Sequence, residues 1–368
     1  VSRRTFKYRI YPTKTQTTIL LHWLNVCRYL YNELLADRKN AYDRCGIGVN
    51  YNQQAGQLKY LNLGIHSQVA QDVIRRLDKA FQNFFRRVKN GEKPGYPRFQ
   101  GKNRYDSFTY PQSGFTILDG GKLKLSKIGT IRMFMHREIV GTIKTCTILR
   151  DGDRWYAAFS AELPDPEPKE IKTSVGVDVG ITMLATLSDG TEIENPKTLD
   201  KYDSKLRKAH RDLSRKKKGS NNRNKQKTAL AGVYRKVRNA RKDCLHKASR
   251  ILADTYDQIV FEDLQIKNMV KNHHLARSIH DASWSMLINF TTYKAEYAGG
   301  VVGLVNPRNT SKQCSVCGCI QPMPLSQRTY RCPDCGSVMG RDHNAAINIK
   351  NRYVPTDCEE LTPVEMVA

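Results

Sequence analysis

The sequence predicts a multidomain α+β protein: an N-terminal β-barrel carrying a helical insertion, followed by a separate α/β domain. Three observations carry that expectation. The hydrophobic period changes from helical to alternating near residue 107, the polar, proline-rich run "PDPEPKE" interrupts the chain at 164–170, and beyond it buried apolar runs are mixed with long helical stretches. At 368 residues the chain is long enough for two or three domains and a substantial core.

The elements follow in order. "RRTFKYRIYP" alternates as a strand and stops at Pro12. Residues 13–45 read as a long helix with Leu20, Trp23, Leu24, Cys27, Tyr31, Leu34 and Leu35 at helical spacing. A second helix is expected over 66–90. Its apolar stripe is Val69, Val73, Leu77, Ala80, Phe84 and Val88, with Gln68, Gln71, Arg75, Lys79, Gln82 and Arg86 opposite. The turn-rich "GEKPGYPRF" ends it. From 107 to 163, "FTILDGGKLKL" and "CTILRDGDRWYAAF" each read as two strands around an Asp-Gly turn, which gives a small barrel-like β domain. After the linker, "TSVGVDVGITMLATLSDGTEI" supplies a buried strand and a hairpin partner. Residues 201–255 read as basic helix broken at "KKKGSNNRNK", and "YDQIVFEDL" and "GGVVGLVN" are further buried strands.

Charge narrows the function. The chain holds 61 Lys and Arg against 35 Asp and Glu, a formal +26, which favours a polyanionic partner such as nucleic acid. No apolar run approaches the ~18 residues of a spanning helix. The N-terminus lacks an apolar signal region, so the expectation is a cytoplasmic protein without a membrane partner. Of ten cysteines, four form one short cluster and six are scattered, a pattern suited to a reducing compartment.

Three carboxylates stand out. Asp178 lies among valines in "SVGVDVGI", where a charge is costly unless it is paired or coordinates a metal; the alternative is a strand-end Asp beside Gly176 and Gly180. Glu262 ends the apolar strand of "QIVFEDL", where a solvated strand end is the alternative. Asp342 in "GRDHNAAINI" would otherwise cap a helix whose Ala345, Ala346, Ile347 and Ile349 pack inward. Taken together, acids from three distant segments could converge to hold two divalent cations for phosphodiester hydrolysis. Hard oxygen donors suit Mg²⁺ or Mn²⁺. None of the nine histidines lies in a recognisable nucleophile motif.

Cys314-x2-Cys317 and Cys332-x2-Cys335, 14 residues apart, have the spacing of a four-thiolate zinc ribbon. Such a site has no open position, so its one Zn²⁺ is structural. Cys319 reads as a bystander and His343 as an exposed helix-start residue. Residues 201–250 carry nineteen Lys or Arg against three Asp, a net +16 of the chain's +26. Within them Arg215, Lys216, Lys217, Lys218, Arg223 and Lys225 are the expected phosphate contacts, with Gln71 and Arg75 as weaker candidates for reading base edges.

"GVDVG", "VFEDL", "CSVCG…CPDCG" and "RDHNAAINI", in that order, closely resemble the transposon-encoded TnpB (OrfB) proteins, compact relatives of the type V CRISPR effectors. "RTFKYRIYPTKTQ" and "AFQNFF" resemble the family more loosely, so the likeness covers nearly the whole chain. The resemblance implies an RNase H-like (RuvC-like) nuclease with the zinc ribbon inserted before its last helix. It implies an RNA-guided DNA endonuclease that binds a right-end transposon guide RNA and cuts double-stranded target DNA beside a short adjacent motif. Asp178, Glu262 and Asp342 would be its catalytic, Mg²⁺-binding acids, and Cys314, Cys317, Cys332 and Cys335 its zinc ligands. The family's last motif usually reads Asp-Arg-Asp, and here Gly340 replaces the first acid.

The expected division is therefore 1–12 and 96–170 as the barrel and 13–95 as its helical insertion. Residues 171–310 and 338–352 form the nuclease domain, 311–337 the ribbon, and 353–368 a disordered tail. The protein would act as a monomer in its ribonucleoprotein, in a prokaryotic cytoplasm at the nucleoid. Two alternatives use the same residues: a strand-transferring transposase that needs no guide, and an inactive nucleic-acid-binding regulator. An actin-like ATPase ranks last, because no second phosphate loop of the Asp-x-Gly-Gly-Thr kind is present.

Overall fold

The computed structural model describes residues 2–102, 104–324 and 326–353. The chain divides into two compact units between Asp165 and Pro166, inside the proline-rich run. No helix among the described residues is long and apolar enough to cross a membrane.

In the first unit, β1 (Ser2–Tyr11) leads into α1 (Lys14–Cys45) through a capping box. Thr13 accepts from the Gln16 amide and the Gln16 side chain accepts from the Thr13 amide. The helix closes at Gly46 with φ +67°, the left-handed geometry that glycine adopts without a Cβ penalty. All seven stripe residues expected on α1 are buried. α2 (Tyr51–Gln57) and α3 (Ser67–Lys89) complete the insertion. The buried Arg38 of α1 ties all three together, donating to Gln54 at 2.8 Å and to Asp78 at 3.1 Å.

The apolar face of α3 differs from the expected stripe. Val69, Val73 and Leu77 are buried, but Ile74 and Phe81 join them, Ala80 and Phe84 are only half-buried, and Val88 is exposed. The expected residues recur about every four positions, wider than the 3.6-residue turn, so that stripe spirals off the packed side.

Six more strands are β2 (Ser107–Tyr110), β3 (Phe115–Leu118), β4 (Lys122–Leu125), β5 (Gly129–Phe134), β6 (Thr142–Asp151) and β7 (Arg154–Leu163). With β1 they form a seven-stranded antiparallel sheet in the order β2-β6-β7-β1-β5-β4-β3. The edge strands β2 and β3 are joined by only residues 111–114, so the sheet must curl back on itself. Tyr110 and Phe115, one on each edge, bring their rings to 6.4 Å. The sheet is barrel-like and nearly closed.

The second unit is built on a five-stranded sheet, order β10-β9-β8-β11-β12, from β8 (Ser174–Val179), β9 (Met183–Leu187), β10 (Glu192–Glu194), β11 (Gln258–Glu262) and β12 (Val301–Val305). The first three strands are an antiparallel meander, and β11 and β12 run parallel to β8. Between β10 and β11 stands the basic hairpin α4 (Thr198–Ser214) and α5 (Asn221–Thr255). Between β11 and β12 come α6 (Ile266–Met269), α7 (His273–Ala282) and α8 (Trp284–Tyr297). The buried Asp281 of α7 holds the hairpin in place. It accepts from Arg241 of α5 at 2.8 Å and from the Leu199 amide of α4 at 2.9 Å.

After β12 the cysteine segment folds around a two-stranded ribbon, β13 (Thr329–Arg331) with β14 (Val338–Gly340), and α9 (Arg341–Arg352) ends the described fold. The second ribbon strand thus runs three residues past the expected boundary at 337. The expected disordered tail lies outside the described residues, apart from Tyr353, whose ring packs on Gly303 of β12.

Candidate active site

Asp178 and Glu262 come together through strand register. β8 and β11 run parallel with Val177 opposite Phe261, and the next step along each strand is Asp178 beside Glu262. In parallel pairing, residues at one register point to one face. Both acids therefore sit at carboxyl ends of parallel strands, where open α/β sheets place their ligands. Asp263, the other acid of "VFEDL", is exposed, so only Glu262 turns inward.

Asp342 arrives from the helix. α9 lies along β8, and the approach depends on Gly176. A Cβ there would meet the Ala346 carbonyl oxygen at 2.1 Å and the Lys350 nitrogen at 2.5 Å. A glycine inside a strand is the sequence signal for such a close backbone approach. Asp342 occupies the first turn of α9 but does not cap it, since the N-cap position belongs to Gly340 and no side chain bonds there. Arg328 of the ribbon segment lies 3.9 Å from the Asp342 carboxylate.

The charges register one another. Burial pushes the Asp178 acid well above the ordinary carboxylate range, the Glu262 and Asp342 charges push it further, and Arg341 opposes them. Burial also raises Glu262, while a hydrogen bond from Thr310 and the charge of Arg352 pull it back. Two half-compensated acids with a third nearby make a pocket of negative charge that a hard cation would neutralise. Among the described residues, the only group of three or more possible donors with all atoms within 4.8 Å of one another is the cysteine tetrad. The three acids are not gathered that tightly.

The cysteine tetrad fits a metal well. Cys314 and Cys335 bring their sulfurs to 3.7 Å, and Cys317 and Cys332 to 3.4 Å. Sulfurs around a tetrahedral zinc with ~2.3 Å arms stand about 3.8 Å apart. All nine described cysteines are free thiols, and Cys319 stands outside the tetrad. His343 is half-buried, not exposed as expected, with Nε2 3.2 Å from the Ser188 carbonyl oxygen.

The ribbon is tied to α9 by residues that the sequence pattern did not single out. Of the four residues expected to pack inward, Ala345, Ala346 and Ile349 are buried and Ile347 is half-buried; Asn344 and Asn348 are buried beside them. Asn344 donates to the Gln313 carbonyl at 2.7 Å and accepts from the Ser315 amide at 2.9 Å. Asn348 donates to the Thr310 and Gln313 carbonyls at 2.9 and 2.7 Å. Two asparagines four apart on a helix face were the available signal.

The expected nucleic-acid contacts divide by environment. Arg215, Lys216, Lys217, Lys218 and Lys225 are exposed at the turn of the α4–α5 hairpin. Arg223 instead turns back to the Leu213 and Lys216 carbonyls, closing the end of α4. In the first unit, Arg75 is exposed on α3 and Gln71 half-buried.

Comparison with known proteins adds a second line. A family profile described as "Probable transposase" (OrfB_IS605) matches residues 158–273, and one described as "Cas12f1-like, TNB domain" matches 284–349. A third, described as a helix-turn-helix domain, matches residues 2–46, where this chain forms one strand and one unbroken helix. A Streptomyces pristinaespiralis protein named "Putative RNA-guided DNA endonuclease" is 36% identical over 362 residues, covering 94% of this chain and 88% of that protein. The Escherichia coli K12 protein "Putative RNA-guided DNA endonuclease InsQ" is 31% identical over 369 residues, covering 94% and 90%. Among solved structures, "Cryo-EM structure of the Cas12f1-sgRNA-target DNA complex" aligns over 96% of this chain and 100% of that one, at 16% identity and a TM-score of 0.39.

Proposed function

The chain belongs to the transposon-encoded TnpB (OrfB) family, and from that premise we propose that it is an RNA-guided DNA endonuclease that cuts by metal-dependent hydrolysis. The observation that carries the catalytic part is the convergence of Asp178, Glu262 and Asp342 at the strand ends of the second unit. The strand order there, with an antiparallel meander followed by two strands parallel to the first, supports a RuvC-like, RNase H fold.

In this reading Asp178 and Glu262 hold divalent cations, Mg²⁺ or Mn²⁺, from the sheet, and Asp342 completes their binding from α9. Bound there, two such ions supply a nucleophilic water and neutralise the leaving oxygen. The protein's own part is placement. Register sets the first two acids, Gly176 lets the third approach, and the ribbon holds the start of α9. One structural Zn²⁺ in the tetrad of Cys314, Cys317, Cys332 and Cys335 keeps that ribbon rigid, and its four thiolates leave no open position.

The exposed lysines of the α4–α5 turn, with Arg215, meet nucleic-acid phosphates without reading sequence. Sequence choice comes from pairing with a guide RNA, taken from the transposon's right end, and the barrel with its helical insertion holds that RNA and reads the adjacent motif. The test is cleavage by the purified protein with its RNA. Asp178→Ala should abolish cutting of target DNA while leaving RNA binding intact; retained cutting would remove the carboxylate assignment. A strand-transferring transposase, favoured by the family description, would join DNA ends without RNA. Cleavage that survives removal of all RNA would support it.

A further inference from the structure

Glu262 is held by one specific partner outside the acid cluster. The hydroxyl of Thr310, itself only 2% exposed, donates to Glu262 Oε1 at 2.5 Å. The Pro307 carbonyl also lies 3.1 Å from that hydroxyl, but a hydroxyl has a single proton, and the shorter, charged acceptor takes it. Thr310 stands five residues beyond Val305, the partner of Glu262 in the β11–β12 ladder, so the chain folds back over the strand end to reach the carboxylate.

The threonine is fixed independently of that bond. Its carbonyl accepts from Asn348 of α9 at 2.9 Å, and the same asparagine holds Gln313 at the root of the ribbon. Arg352 adds a third tie, donating to Gln313 Oε1 at 2.6 Å. One short segment thus links the helix that carries Asp342, the ribbon and the Glu262 carboxylate.

Resting on the reading of Glu262 as a metal-binding acid, we propose that Thr310 is its positioning residue. The hydroxyl occupies one side of Oε1 and stops the long glutamate side chain from rotating away, so that Oε2 would be the oxygen left to take a cation. Outer partners of this kind are typically worth about 10–100-fold in metal affinity or activity.

The test is Mn²⁺ titration of the full-length, zinc-loaded protein free of nucleic acid, followed by electron paramagnetic resonance. The Mg²⁺ dependence of cleavage is measured in parallel with the RNA bound. Thr310→Val, which keeps the shape and removes the hydroxyl, should weaken Mn²⁺ binding about tenfold or more and raise the half-saturating Mg²⁺ concentration similarly. Thr310→Ser should restore both. Thr310→Ala is the second hydroxyl-free variant should valine disturb the fold, since the pinning carbonyl is unchanged in either. Wild-type Mn²⁺ affinity in the hydroxyl-free variants, or a serine variant as weak as the valine one, overturns the proposal. Glu262→Gln separates the two levels. If it binds Mn²⁺ normally, the carboxylate reading itself has failed; if it loses binding while Thr310→Val does not, only the threonine's role has.

Discussion

The second unit contains two constellations suited to metal, and they are built in opposite ways. The cysteine tetrad comes from one short stretch, 314–335, and its sulfurs are already at tetrahedral spacing. The acids come from a strand, a second strand and a helix start, brought together only when β8, β11 and α9 pack. Four thiolates would close around a metal and be satisfied by it; the acids form an open group that is electrostatically uncomfortable without one, since burial raises both Asp178 and Glu262. On the proposed reading, the difference teaches that the closed site holds the fold and the open site uses it. The ribbon's root reaches α9 through Asn344 and Asn348, so the first site sets the geometry of the second.

Removing the zinc should have the largest effect, because structural zinc contributes ~10–16 kcal/mol in isolated zinc-finger peptides. Cys317→Ser should lower the zinc content from one per chain to near zero, lower the melting temperature and abolish cleavage. Added Mg²⁺ should not rescue any of the three. A variant that loses zinc and still cuts at the normal rate would break the proposed dependence of the open site on the closed one.

Gly176→Ala comes next. Its Cβ would press on backbone atoms of α9, which cannot rotate away, so the helix must shift. Overpacking of this kind costs ~1–3 kcal/mol. A displacement near 1 Å at a reacting centre costs about 100-fold in rate. Stability by denaturant titration should fall modestly and cleavage much more, with zinc content unchanged. A loss of stability without a loss of rate would mean that Asp342 does not act through the α9–β8 contact.

The same contrast explains what was legible in advance. The tetrad could be read from spacing, because all its information lies in one stretch. Asp178 and Glu262 were visible as acids at the ends of apolar strands, where burial needs a reason, and α1 was visible because its apolar stripe keeps a true helical period. The pairing of Asp178 with Glu262 could not be read, since it depends on which strands become neighbours. Thr310 was hidden for a related reason. In "NPRNTSKQC" it looks like loop threonine, and only the return of the chain over β11 buries its hydroxyl against an acid. The boundary at 337 was missed because "SVMG" looks like a lead into the last helix, whereas the ribbon uses it as a strand.

A subtler prediction concerns the discomfort of the open site. The folded protein holds the Asp178 acid above its unfolded value of ~3.9, so folding favours the protonated form. The associated stability is fully present below that unfolded value and is lost as pH rises through the folded one. In chelator-treated protein that keeps its zinc, Asp178→Asn, which cannot ionise, should therefore melt higher than wild type at neutral pH, by a few degrees in order of magnitude. The gap should close as pH falls toward ~4. Mg²⁺ should raise the melting temperature of wild type and leave the variant unmoved. Equal melting of the two proteins at pH 7 without divalent ions would mean that the site is not strained by charge.

The smallest effect should come from a region belonging to neither constellation. The lysines at 216–218 are exposed in the turn between α4 and α5, where charge acts on a polyanion through counterion release. Replacing all three by glutamine should weaken RNA binding and make the plot of log affinity against log salt shallower by about 2–3, at ~0.7–0.9 for each phosphate no longer neutralised. Zinc content, melting temperature and the cleavage rate of the fully loaded complex should stay at wild-type values, because these ammonium groups attract the substrate without touching the acids. A fall in the saturated cleavage rate would place the hairpin turn against the cut strand, so that the open site would draw on three regions of the unit and not two.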